Sequence, residues 1–206
     1  MCFSFKISLV SAAYLLSIAY VGYRKFQHRR MLLLFPLMFG IQQLAEAGVW
    51  ATFDYGLSLT LRYLFSYIFL FFAFIVWPAF VPYCFYRIEP LPDRQDKLKY
   101  LCYFGSAISL CLALRLMSNP LDISITCSSV RYYIESQPFM SDIYMIIAYM
   151  LAVVVPCLIS SIKWSDVFGM SIFVAWLISA YVYEYAFTSV WCFFAALISS
   201  GIYFLF

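Results

Sequence analysis

Charge is what this chain has least of. Charged residues make up 11% of its 206 positions, against roughly 25% in a soluble domain. That excludes an ordinary water-soluble fold, a disordered chain and a disulfide-rich secreted module. Thirteen Lys and Arg against ten Asp and Glu leave a formal net charge of +3, too little for a nucleic-acid footprint. Histidine occurs once, as His28 in a basic turn, so hydrolases built on several zinc histidines and bis-histidine haem sites are excluded. The seven cysteines, at 2, 84, 102, 111, 127, 157 and 192, contain no C-x-x-C pair. Zinc ribbons, thioredoxin-like centres and haem-attachment motifs are therefore absent. No lysine follows Lys163, which removes a retinal Schiff base from the last two apolar runs, and neither a phosphate-cradling G-x-x-x-x-G-K-[ST] nor a G-x-S-x-G stretch occurs. The sequence calls for no metal and no cofactor.

What is present is apolar: 66% hydrophobic and 22% aromatic residues, with a mean hydropathy of +0.90. A helical bilayer span needs about 20 mostly apolar residues. Seven stretches meet that length, near 5–23, 31–53, 58–86, 98–117, 140–162, 166–186 and 187–206. Continuous apolar runs of this kind are not the alternating ten-residue strands of a barrel. The expected fold is all-α: one integral membrane domain over 1–206, a seven-helix transmembrane bundle. The first span reads as retained, because its basic cluster follows the apolar run and no Ala-x-Ala-type site stands there. Lys and Arg set the orientation. Arg24, Lys25, Arg29, Arg30, Arg87, Arg94, Lys97, Lys99 and Lys163 fall on one side, and Lys6, Arg62, Arg115 and Arg131 on the other. The richer side is cytoplasmic, so the N-terminus is expected outside and the C-terminus inside.

Ionisable groups within a membrane are costly and mark functional sites by default. On this topology Lys6, Glu46, Arg62, Arg115 and Glu184 all fall in the outer half. The densest motif runs from Gly40 to Trp50, where helical spacing puts Gln42, Gln43, Glu46 and Trp50 on one face. Small residues Ala45, Ala47 and Gly48 allow a neighbouring helix to approach. The polar stripe can grip a ligand, or it can tie helices together with Glu46 paired to Arg62, Lys6 or Arg115. A buried carboxyl without a cation is a proton-carrying group; with one it is ionised and structural.

Other features bear on the architecture. Pro78 and Pro82 are expected to kink or break the long third span, with a break after Trp77, and Pro156 to bend the fifth. In the last span Ser189, Cys192, Ala196 and Ser199 share a face, a spacing typical of helix packing. The segment 118–139 carries β-branched and aromatic residues on both sides of Cys127-Ser128-Ser129, the pattern of a short β-hairpin capping the outer mouth. Cys2, Cys127 and Cys192 lie on or near the outer side, where a disulfide among them fits an oxidising periplasm. Removal of Met1 would leave Cys2 with an α-amino group beside its thiol.

The start Met1-Cys2-Phe3-Ser4, the Gly40–Trp50 stretch, Trp77-Pro78 with Pro82, Pro156 to Ser161, and Trp191-Cys192-Phe193-Phe194-Ala195-Ala196 span nearly the whole chain. On these motifs it resembles an uncharacterised family of bacterial multi-pass membrane proteins with seven helices. The resemblance implies family-wide roles for Cys2, Gln43, Glu46, Trp50, Trp191 and Cys192, and a place in the bacterial inner (cytoplasmic) membrane. Ala47-Gly48 stands where such proteins carry a second glycine after the motif glutamate.

Three functions fit these residues. In the first, an outer-half site binds or transports a small polar or amphipathic ligand. Gln42, Gln43, Glu46 and Arg62 contact it, and Trp50, Trp191 and Cys192 wall the pocket. In the second, the same cluster holds together a structural or sensory subunit that works with a membrane-protein partner. The third is an enzyme acting on a lipid or thiol substrate, with Cys2 as nucleophile and Glu46 as acid or base. The bilayer is a partner in all three, and nucleic acid in none.

Overall fold

A computed structural model describes residues 4–25, 30–134 and 143–202. Within them lie seven helices and one small hairpin. In chain order these are α1 (Phe5–Lys25), α2 (Arg30–Asp54), α3 (Leu59–Leu70), a π-helical turn (Phe71–Val76), α4 (Trp77–Ile88), α5 (Pro92–Ser118), β1 (Leu121–Thr126), β2 (Ser129–Ile134), α6 (Ile143–Ile159), α7 (Ser165–Val182), a 3-10 turn (Glu184–Ala186) and α8 (Phe187–Ser200). The halves α3 and α4 form one continuous helix, Leu59–Ile88.

Five helices are long and apolar enough to cross a bilayer: Phe5–Lys25, Arg30–Asp54, Leu59–Ile88, Pro92–Ser118 and Ser165–Val182. The other two, α6 and α8, have 17 and 14 residues, shorter than the spans expected at 140–162 and 187–206. At 1.5 Å per residue α6 rises about 25 Å, less than the roughly 30 Å of a hydrocarbon core. The surface agrees with lipid as the solvent. Val10, Leu64, Met117 and Tyr181 are 68%, 51%, 82% and 92% exposed, while Gln42, Gln43 and Glu46 are buried. The chain is a multi-pass membrane protein.

The third span does not break after Trp77. The helix absorbs its prolines with a π turn just before them, and side chains from other helices take up backbone carbonyls there. Pro78 has no N–H to offer Phe74 four residues back or Ala73 five back. The Ala73 carbonyl instead accepts from the Tyr149 hydroxyl at 2.6 Å, and the Ile75 carbonyl from Ser109 Oγ at 2.7 Å. Pro82 likewise leaves the Pro78 carbonyl without its helical donor. Gly105 of α5 lies against that oxygen so closely that a Cβ there would stand 1.9 Å from it.

The described residues fall into two compact units, Met1–Phe72 with Ile123–Tyr132 and Ile178–Phe206, and Ala73–Asp122 with Tyr133–Leu177. In the first, α2 packs on α1, α3 and α8. Close approach rests on glycines: Gly22 lies under Leu33, Gly40 under Leu16 and Gly48 under the Phe65 ring. The face of α1 turned inward is small and regular, Ser8, Ser11, Ala12, Leu15, Ala19 and Gly22. In the second, α4, α5 and α6 pack on one another.

The expected hairpin is present, with strands β1 and β2 paired. Its turn residues Cys127 and Ser128 have φ of 47° and 58°, the two-residue turn in which both central residues take the left-handed region. Residues 135–139 of the expected capping loop, and Cys2 and His28, lie outside the described residues. Cys127 and Cys192 are both free thiols, one exposed at the turn and the other buried in α8, so the expected outer-side disulfide does not join them.

Candidate functional site

The Gly40–Trp50 stripe is buried along its whole length: Gln42 and Gln43 are fully enclosed, Glu46 is 2% exposed and Trp50 5%. Helix α2 can present this polar face because it packs on three helices at once. Glu46 holds its two oxygens in different ways. Oε2 accepts from Gln43 Nε2 at 3.3 Å, one turn back on the same helix. Oε1 accepts from Ser189 Oγ of α8 in a short contact. Gln42 Nε2 donates to the Phe69 carbonyl of α3 at 3.4 Å, and its amide also reaches the Cys192 thiol of α8. The amides and carboxyl of α2 thus knit α3 and α8 onto it.

Among the described residues no cation joins them. Arg62 spans the end of α2, donating from Nε to Thr52 Oγ1 at 3.1 Å and from Nη2 to the Thr52 carbonyl at 3.4 Å. Its guanidinium sits 3.6 Å from the centre of the Phe53 ring. The pairing of Glu46 with Arg62, Lys6 or Arg115 is replaced by neutral partners, Gln43 and Ser189. Sequence spacing alone could not reveal this, because Ser189 lies 143 residues from Glu46.

Two residues not singled out beforehand join the cluster. Tyr132 of β2 stacks on Phe69, ring centres 5.0 Å apart. Burial first, and then the nearby Glu46 and Cys192, hold its hydroxyl well above the usual tyrosine range. Ser66 is buried one turn before Phe69. Around the stripe, Gln43 Oε1, Trp50 Nε1, Ser66 Oγ and Tyr132 Oη are buried and without a hydrogen-bond partner among the described residues. Buried polar atoms are nearly always satisfied, so these four, with Ser129 Oγ in the same compact unit, are a notable concentration. Trp191 is buried and stacks on Phe187 at 5.6 Å. Cys2, the candidate nucleophile, lies outside the described residues, and among those residues no group of three His, Cys, Asp or Glu side chains could hold a metal ion.

A second carboxyl was hidden in what reads as a loop. Glu89 caps the end of α4 and is 5% exposed. It accepts from Ser160 Oγ at 2.9 Å, from the Ser161 amide at 2.8 Å and hydroxyl at 2.5 Å, and from the Leu91 amide at 3.3 Å. Burial pushes this carboxyl up, but the hydrogen bonds from Ser161, Ser160 and Leu91 outweigh it and hold the group below its ordinary value. Beside it Arg94 donates to the Ile159 carbonyl at 2.9 Å. Glu89, at the end of α4, thus ties Leu91 at the start of α5 to Ser160 and Ser161 just past α6, a clasp for the ends of the three helices.

With the stripe of α2 and the Ser189–Cys192 face of α8 in place, the comparison with known proteins is specific. Residues 1–205 match a family of unknown function, DUF6629. The chain belongs to that family. The match covers both units, as the spread of the motifs over nearly the whole chain implied. No curated protein and no solved structure matches the chain at a significant level.

Proposed function

We propose that this DUF6629 member binds or transports a small polar ligand at the Glu46 centre, in the half of the membrane opposite the basic turn. Supporting this is the set of orphaned polar atoms around an uncompensated carboxyl. Trp50 Nε1 and Tyr132 Oη have protons to donate, Gln43 Oε1 can only accept, and Ser66 Oγ can do either. A ligand that both donates and accepts, such as a small amino alcohol, complements this set. A membrane protein gains nothing from leaving such atoms unmet, since each costs about 1–3 kcal/mol. On the positive-inside count the site opens to the outside of a bacterial inner membrane, with the N-terminus on that side.

A structural or sensory role is the second reading, favoured by one observation: both Glu46 oxygens are already bonded to protein. Thermal unfolding of the full chain in lipid nanodiscs separates the two, with ethanolamine, choline and glycerol as probes. On the binding reading ethanolamine raises the melting temperature of wild type in a dose-dependent way, and Trp50→Phe and Glu46→Gln abolish the rise. If no probe moves wild type while Ser189→Ala and Glu46→Leu lower its melting temperature, the cluster is structural.

A further inference from the structure

At the other end of the α1–α2 pair lies a cavity of about 340 Å³, within the size range of small-molecule sites. Its floor is apolar, with Leu16 of α1 and Leu34 and Leu37 of α2. Its mouth is not. Tyr20, Tyr23 and Arg30 line that end, and Arg24 sits beside them, donating from Nη2 to the Tyr20 hydroxyl at 3.2 Å. Each guanidinium rests on a tyrosine ring, Arg24 at 5.5 Å from the centre of Tyr20 and Arg30 at 4.4 Å from that of Tyr23. Neither arginine forms an ion pair among the described residues.

We infer that this cleft is a binding site for one anionic phospholipid. An acyl chain lies between α1 and α2, and the phosphate is gripped by Arg24 and Arg30. Three features converge on that occupant. The cleft walls match a hydrocarbon chain and nothing more polar. The two arginines offer fork-shaped donors suited to a phosphate, and their tyrosine rests pre-orient them. Both ends also sit at the right depth, because Arg24 and Lys25 close the last turn of α1 and Arg30 opens α2, where aromatic and basic side chains meet the head-group layer. Gly22 contributes by letting Leu33 fold against α1, where a Cβ would stand 2.5 Å from it.

Native mass spectrometry of the purified full chain tests this site. Phosphatidylglycerol, phosphatidylethanolamine and phosphatidylcholine of equal chain length are added, with inorganic phosphate as a separate competitor. Wild type should retain phosphatidylglycerol at least tenfold over phosphatidylcholine. The exposed double variant Arg24→Gln/Arg30→Gln should lose that preference without losing its fold. Leu34→Trp, and Leu37→Phe should the larger side chain prevent folding, should lower retention of every lipid. Equal retention of the three lipids by wild type overturns the proposal, as does a preference that survives in the double arginine variant. Undiminished lipid binding with the cleft filled places the lipid elsewhere, and displacement by inorganic phosphate alone reduces the site to one for simple anions.

Discussion

Placing a methyl group at Gly105 is the sharpest test of how the prolines of the third span are accommodated. In Gly105→Ala the new Cβ would lie 1.9 Å from the Pro78 carbonyl oxygen and 3.0 Å from both its carbon and Pro82 Cγ, whereas ordinary contact begins at 3.4 Å. The offending atoms are backbone and ring, so no side-chain rotation relieves the overlap. Helices α4 and α5 must part locally by about 1.5 Å. Gaps of 0.5–1 Å already forfeit a quarter to a half of a dispersion contact. Overpacking a tight core costs about 1–3 kcal/mol, and this site belongs at the upper end. Helix propensity returns about 1 kcal/mol to a Gly→Ala change in helical backbone, so the control is Gly201→Ala, at the end of α8 with φ −61° and ψ −24°, where nothing lies within 4 Å of the added atom. The two variants should differ by about 3 kcal/mol. At about 2–4 °C per kcal/mol for a chain of this size, that is about 6–12 °C in melting temperature, read by differential scanning fluorimetry in nanodiscs. Equal melting temperatures for the two would refute the close approach of α5 to the Pro78 carbonyl.

Two further outcomes are expected. The Glu89 carboxyl is held below its unfolded value, so its contribution to stability is complete above that value, near pH 4.5. It is lost as pH falls through the folded value; melting curves across pH 3–6 should steepen in wild type relative to Glu89→Gln, and parallel curves would remove Glu89 as the clasp. Cys127 is exposed at the hairpin turn, so a membrane-impermeant thiol reagent should label it only from outside intact cells, in a variant with Cys2 and Cys111 replaced by serine. Labelling only from the cytoplasmic side reverses the proposed orientation.

The sequence made the α2 stripe legible because helical periodicity is a local property. Gln42, Gln43, Glu46 and Trp50 needed only their spacing to be assigned to one buried face. The hairpin was equally local, with β-branched and aromatic residues on both sides of a short polar turn. What escaped was decided by partners distant in the chain. The third span reads as broken because two prolines remove donors, yet Tyr149 lies 76 residues beyond the Ala73 carbonyl it serves, and Ser109 lies 34 beyond Ile75. Glu89 reads as a loop residue because Ser160 and Ser161 stand 71 and 72 positions away. Whether Glu46 meets a cation was left open by the sequence for the same reason: packing brought it a serine from α8, 143 positions away.

The π turn at Phe71–Val76 also sets the rotational phase of the span. It amounts to one residue more than an α-helix of that rise would hold, and one residue turns a helix by about 100°. Deleting any single residue between 71 and 76 would therefore hardly shorten the crossing, but it would swing Trp77, Val81 and Phe85, now buried, away from the side on which they pack. Homologous chains that differ in length by one across this segment would carry their apolar pattern on a different face below it. Their alignments would slip at that point.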